Sequence, residues 1–223
     1  MLNQNNPRAE FDQSLEDLQQ DVLRMAAVAE QMLHRAVRAY LTRDLDEIED
    51  VIRTDDEVDR YHRDIEARCL ELLALQNPMA RDLRVIAGAL KIITDVERIG
   101  DYSIDIAKMG RRMADKAPLD SQPNIEAMAE RAEWMLRTSI KAFVTREIDL
   151  VHEMIAHDDE VDHLNKAVIE AMIARIRENV DIVEQAIGAI MVARFIERIA
   201  DHITNVGEHV FYVETGVFTE LHQ

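Results

Sequence analysis

Asp55-Asp56-Glu57-Val58-Asp59 occurs a second time, unchanged, as Asp158-Asp159-Glu160-Val161-Asp162, 103 residues further on. The match extends outward on both sides. Thr42-Arg43-Asp44-Leu45-Asp46 lines up at the same offset with Thr145-Arg146-Glu147-Ile148-Asp149. Downstream, Glu97-Arg98-Ile99 returns as Glu197-Arg198-Ile199, now 100 residues on. A three-residue deletion between the second and third elements of the second copy accounts for the changed offset. The chain is a tandem duplication of one unit, so the fold of that unit decides the fold of the whole.

The unit reads as three helices. Only 6 Gly and 4 Pro among 223 residues predict an all-α chain. From Phe11, the apolar residues Leu15, Leu18, Val22, Met25, Ala29, Met32, Ala36, Val37 and Tyr40 recur at steps of three and four, the stripe of an amphipathic helix running to Thr42. Asp44 is placed to cap a second helix from Leu45 to Leu75, which Asn77-Pro78 stops. A third runs from Met79 to about Ala114, and Gly88 and Gly100 within it mark close packing against other helices. Lys116 to Asn124, with Pro118, Ser121 and Pro123, is the linker. Residues 125–145, 147–178 and 180–214 repeat the pattern. The expected architecture is therefore a tandem pair of three-helix bundles: residues 1–115, a linker at 116–124, and residues 125–223. Residues 1–8 read as a frayed start.

Composition narrows the function. A formal net charge of −18 argues against a nucleic-acid binder, which needs clustered Lys and Arg to neutralise phosphates. The single cysteine, Cys69, excludes an intrachain disulfide and a cysteine-based zinc site, and its setting predicts burial. No basic-then-apolar leader and no apolar run of about 20 residues is present, so the expected location is cytoplasmic, without a transmembrane segment. No phosphate-binding glycine loop, dinucleotide fingerprint, nucleophile elbow or Cys–His set occurs, and the chain is not expected to be an enzyme.

The chemistry lies in rows of acids. Glu97, Asp101 and Asp105 stand at i, i+4 and i+8, one stripe on a helix. Like charges at that spacing destabilise a helix by about 0.2–0.5 kcal/mol per pair. The second copy offers Glu197 and Asp201, with Asn205 in the place of Asp105. Carboxylate rows kept in both copies suit oxygen-bound cations such as Mn, Fe, Mg, Zn or Ca. The alternative is ion pairing with arginines of neighbouring helices, among them Arg81, Arg84 and Arg194. Asp55 and Asp59, and likewise Asp158 and Asp162, also stand at i, i+4. They read either as a solvated face, with Asp59 paired to Arg63, Asp56 to Arg60 and Asp162 to Lys166, or as neighbours of the rows. Glu160-x-x-His163 has the spacing of a diiron-carboxylate helix, but the first copy has Arg60 in the place of His163. His163 and His202 are read as incidental, and Trp134, Phe143, Phe195 and the methionines as core or interface filler.

With its doubled E-x-x-x-D motif (Glu97 to Asp101, Glu197 to Asp201), its Pro78-Met79-Ala80-Arg81-Asp82-Leu83-Arg84 segment and its Val192-Ala193-Arg194-Phe195-Ile196-Glu197-Arg198-Ile199-Ala200-Asp201-His202 run, the chain resembles the PhoU family of bacterial phosphate-uptake regulators. The resemblance covers nearly the whole chain. It implies two three-helix bundles related by pseudo-twofold symmetry, and a cytoplasmic repressor of the phosphate-starvation response. Such proteins link the ATPase-driven phosphate ABC transporter to a sensor histidine kinase, which would place the chain at the inner face of the membrane through its partners. Some carry metal clusters on the E-x-x-x-D surfaces. Carried over, the ligands are Glu97, Asp101, Glu197 and Asp201, and the stripe spacing adds Asp105 and Asn205 to them. Asp55, Asp59, Asp158 and Asp162 become co-ligands or neighbours, with Arg81 and Arg84 in support and Fe, Zn, Mn or Mg as the ion. Asn205 removes one charge, so the second row is expected to bind more weakly. A homodimer is also expected, from the methionines and the apolar Phe211-Tyr212-Val213 and Val217-Phe218 patches. The competing expectations are an accessory protein of a phosphate permease and a diiron-carboxylate oxidase or iron store.

Overall fold

The computed structural model describes residues 7–75, 78–119 and 122–221, in which every regular element is helical. In the first copy α1 spans Pro7–Thr42, α2 Leu45–Leu75 and α3 Ala80–Arg112. In the second, α4 spans Pro123–Thr145, α5 Ile148–Ile155, α6 Asp158–Glu178 and α7 Val183–Thr215, the last preceded by a 3₁₀ turn at Val180–Ile182. The expected breaks at Asn77 and Ser121 and residues 1–6 of the expected frayed start lie outside the described residues. Residues 7 and 8, expected to fray with them, instead open α1, and Arg8 pairs with Asp82 at 2.8 Å. The linker is shorter than expected at its far end, because α4 already begins at Pro123, with proline at a position where a missing N–H is harmless.

Helix ends follow local chemistry. Asp44 caps α2, its Oδ1 accepting from the Glu47 N–H at 3.1 Å. Arg43 and Arg146, one repeat apart, both take the left-handed conformation (φ 60° and 68°), and each reverses the chain after a long helix. The single helix expected over 147–178 is divided. At Ala156–His157 the turn tightens, the His157 N–H reaching Met154 O at 3.1 Å, and the imidazole stands edge-on to Trp134 with ring centroids 4.3 Å apart. The first copy has Thr54 at this position and keeps α2 continuous.

The helices α1, α3, α4 and α7 form a central layer, with α2 packed outside α1 and α3, and α5 and α6 outside α4 and α7. One hydrophobic cluster runs through both copies, from Leu18, Val22 and Met25 on α1 to Ile196, Ile199 and Ile203 on α7. Two seams join the copies, and both obey a pseudo-twofold axis. Between α1 and α4, Arg137 Nη1 meets Glu30 Oε1 at 2.8 Å, and His34 Nδ1 meets Glu133 Oε1 at 3.2 Å. These four positions exchange under the 103-residue offset. Between α3 and α7 the helices run antiparallel. Arg84 Nε donates to Val213 O at 3.0 Å, and Arg81 pairs with Glu214 at 2.9 Å. A Cβ on Gly88 would fall 2.3 Å from Val213 Cγ2, so α3 needs glycine there to lie against α7. At Gly100 a Cβ would meet Val58 at an ordinary 3.5 Å, so that glycine is not required by close approach. Cys69 is fully buried, and burial pushes its thiol up to about 12.

Candidate metal-binding acid rows

The first row lies along the seam where α2 packs on α3. Glu97, Asp101 and Asp105 follow one another up α3, and Asp55 and Asp59 approach from α2. Burial holds the Asp55 carboxyl above its ordinary range. The charges of Asp59, Asp101 and Asp56 add to that effect and Lys108 opposes it. Carboxylates from both helices therefore share one field. His62, three residues after Asp59 on α2, brings Nε2 to 3.9 Å from Glu97 Oε2.

The second row repeats this arrangement between α6 and α7 in a tighter setting. Glu197 is 13% exposed against 31% for Glu97. Burial raises its carboxyl above the ordinary range, with Asp201 and Asp162 adding to the effect and Arg194 and Arg198 opposing it. Arg194 reaches Oε1 at 2.5 Å, whereas Oε2 is buried without a hydrogen-bond partner, with the Arg198 guanidinium 3.9 Å away.

The pairing differs from the sequence expectation. The arginines that engage the rows come from the same helix at i+3 rather than from neighbouring helices. Arg98 meets Asp101 at 2.9 Å and Arg198 meets Asp201 at 3.2 Å, while Lys108 stands 3.6 Å from Asp105. Arg81 and Arg84, expected in support, instead fasten the far end of α3 to the end of α7; Arg84 lies 13 residues, or about 20 Å, from Glu97 along the helix. Asn205 turns inward and donates from Nδ2 to Asp95 Oδ1 at 3.3 Å. On α2, Asp59 does pair with Arg63 at 3.4 Å, but Arg60 goes to Glu57 at 3.7 Å rather than to Asp56. Asp158 opens α6.

The histidines also divide. His163 Nδ1 lies against Asp159 O in its own helix, and Glu160 pairs with Arg131 at 2.8 Å, so Glu160-x-x-His163 forms no inward-facing ligand pair. His202, read as incidental, is a structural partner. Its Nδ1 lies 2.9 Å from Asp95 Oδ1, and His209 Nε2 lies 3.5 Å from Asp95 Oδ2. Asp95 is 13% exposed, and although burial pushes its carboxyl up, the hydrogen bonds from His202, His209 and Asn205 outweigh it and hold the carboxyl below the ordinary range. Nothing in the linear sequence marked Asp95, because its partners lie more than 100 positions away.

In donor chemistry the rows fit a cation bound by oxygen, and the buried unpaired Oε2 of Glu197 is an oxygen suited to one. In spacing they are open. Among the described residues no three His, Cys, Asp or Glu side chains are gathered as a ready ligand set. An ion would have to draw the carboxylates together and displace Arg98 or Arg198.

Comparison with known proteins agrees with this architecture. The PhoU domain family model matches residues 22–109 and again 125–210. The chain belongs to the PhoU family. A relative from Clostridium acetobutylicum, named phosphate-specific transport system accessory protein PhoU homolog, is 34% identical over 95% of this chain and 97% of its own. A PhoU homolog of the same description from Synechocystis is 32% identical over 95% of both chains. Among solved structures, PhoU from Pseudomonas aeruginosa superposes with a TM-score of 0.87 at 26% identity, covering 93% of this chain and all of the other. The phosphate transport system regulatory protein PhoU from Streptococcus pneumoniae gives 0.88 at 25% identity over 95% of this chain and all of its own. The all-α fold with two copies of one helical unit is thus shared with PhoU proteins. Among the described residues no helix is long and apolar enough to cross a membrane.

Proposed function

We propose that this PhoU-family chain is a cytoplasmic adaptor that holds down the phosphate-starvation response. It contacts the ATPase subunit of a phosphate ABC transporter on one side and a sensor histidine kinase on the other, and it works as a homodimer at the inner face of the membrane. Its relatives are named as accessory proteins of the phosphate-specific transport system, which supports the transporter half of this reading. The observation that carries the rest is the repetition of one acid-lined seam, α2 on α3 and α6 on α7, at two pseudo-symmetric places on a single rigid core.

Such a seam binds rather than catalyses. Glu97, Asp101 and Asp105, with Asp55 and Asp59 beside them, would hold one divalent or trivalent ion. Glu197 and Asp201, with Asp162 beside them, would hold the other. A bound Fe, Zn, Mn or Mg ion supplies positive charge that cancels the carboxylate repulsion. The chain's own residues do the remainder. The carboxylates on α2 and α6 tie each outer helix to the central layer, Arg98 and Arg198 hold the aspartates until an ion replaces them, and the ordered seam becomes a surface a partner can recognise.

Replacing Glu97, Asp101, Glu197 and Asp201 together with Ala tests the reading. The variant is expected to lose bound metal on elemental analysis and to release reporter expression from the starvation promoter in phosphate-rich medium. Retention of both metal and repression overturns the proposal.

A further inference from the structure

We infer that the two acid rows take different classes of cation, because the outer-helix position that faces Glu97 as His62 in the first copy is filled by Asn165 in the second. The inference rests on the metal-binding reading above and adds a ligand from the outer helix to each row.

The two residues are equivalent under the 103-residue offset, as are Asp59 and Asp162, each three positions earlier on the same helix face. In the first copy the geometry is direct, with His62 Nε2 3.9 Å from Glu97 Oε2. An ion binding both at about 2.0–2.2 Å needs them about 3 Å apart, a closure within reach of a side-chain rotation. In the second copy Asn165 is 6% exposed, and its Oδ1 is buried with no hydrogen-bond partner. Glu197 Oε2, on the facing helix, is the other buried oxygen of this seam in the same condition. Asp162, on the Asn165 face of α6, lies close enough to Glu197 for its charge to be felt there. Leaving two such oxygens unpaired is destabilising, and a cation drawn into the α6–α7 seam would give both a partner.

The donor sets then differ in kind. Asp59, His62, Glu97 and Asp101 combine imidazole nitrogen with carboxylates, a set suited to Zn, Fe or Co as well as Mn. Asp162, Asn165, Glu197 and Asp201 offer oxygen alone, which suits Mg, Ca or Mn. One chain would thereby sense a transition metal at one end and a hard cation at the other. His62 and Asn165 change no charge in the sequence pattern, so the acid rows gave no sign of them.

Mn²⁺ fits both sets and is paramagnetic, so it serves as the probe. The full-length chain, stripped with chelator and titrated with Mn²⁺, is expected to bind at both rows, and pulsed electron paramagnetic resonance is expected to show imidazole nitrogen coupling on one ion only. His62→Asn removes the nitrogen coupling while both ions stay bound, and Asn165→His brings it to the second ion. Asn165→Ala weakens binding at the second row by about tenfold or more, with an unchanged circular dichroism spectrum. Nitrogen coupling that survives His62→Asn, or Mn²⁺ affinity indifferent to Asn165→Ala (the result if a water merely bridges Asn165 and Glu197), overturns the inference and leaves the metal reading standing. Mn²⁺ binding that is absent, or unchanged when Asp101→Asn and Asp201→Asn are combined, overturns both.

Discussion

The two halves of the α3–α7 seam occupy equivalent positions and are built from opposite materials, and they meet at its middle, where the Tyr102 and His202 ring centroids lie 5.8 Å apart. In one half Asp95 of α3 receives His202, Asn205 and His209 of α7. Under the 100-residue offset the same four positions in the other half are Phe195 against Tyr102, Asp105 and Met109. There the Phe195 and Tyr102 rings pack with centroids 6.1 Å apart, and Asp105 faces Lys108 instead of the seam. Equivalent positions are thus filled differently: a buried carboxylate with three polar partners in one half, an aromatic pair in the other. The acid rows bear the consequence. Asn205 is committed to Asp95, whereas Asp105 is left on the first row, so the inequivalence of the two rows follows from how each half of the seam is filled.

Truncating the polar end is expected to have the largest effect. Asp95→Ala strands His202, His209 and Asn205 in a buried place and should lower stability by about 2–3 kcal/mol in urea denaturation at neutral pH. A loss below about 0.5 kcal/mol would mean that the cluster contributes no more than surface polarity does. Next come the glycines that set the seam's closeness. Gly88→Ala drives a methyl into Val213 and should destabilise by about 1–2 kcal/mol. Its counterpart Gly188→Ala meets Met113 at a tolerable 3.4 Å and should gain up to about 1 kcal/mol from helix propensity. Equal effects at the two glycines would deny the asymmetry of the seam.

The same comparison has a pH signature of opposite sign at its two carboxylates. Asp95 is held below its ordinary range, so its contribution is complete above about pH 4 and is lost as pH falls through its lowered value. Glu197 is held above its range, so the folded state suffers a penalty at neutral pH that is relieved as pH falls through the raised value. Stability-versus-pH curves should therefore flatten on the acid side for Asp95→Asn and on the neutral side for Glu197→Gln. The smallest expected stability change belongs to the exposed arginines. Arg98→Ala should alter stability by no more than about 0.5 kcal/mol. It should nevertheless tighten metal binding at the first row, measured by calorimetric titration, because the ion no longer competes with a guanidinium.

Much of this was legible beforehand where the physics is local. The three- and four-residue spacing of Leu18, Val22, Met25, Ala29 and Met32 marks a buried helix face wherever it occurs, and these residues are indeed buried. Asp44 caps α2 because capping needs only the next three residues. The candidate site was legible in part. The acidic rows could be read from i, i+4 spacing, and Arg194, named among the arginines, does pair with Glu197, but as an i+3 neighbour on the same helix. Arg98 and Arg198 do the same for Asp101 and Asp201, while Arg81 and Arg84 lie elsewhere. The interruption at His157 went unseen because its ring answers to Trp134, 23 positions earlier.

What the linear chain determined by itself was its duplication, its helical content and the acids that line one face of each third helix, since repetition and periodicity are properties of neighbouring residues. Only the folded molecule decided that α3 and α7 lie antiparallel with a glycine pressed on a valine, that Asp95 belongs with His202 and His209, and that Asn165 and Glu197 are left with unpaired oxygens. Those relations depend on which helices, far apart in the chain, come to share a dry contact, and that is set by how the units bury their apolar faces against each other.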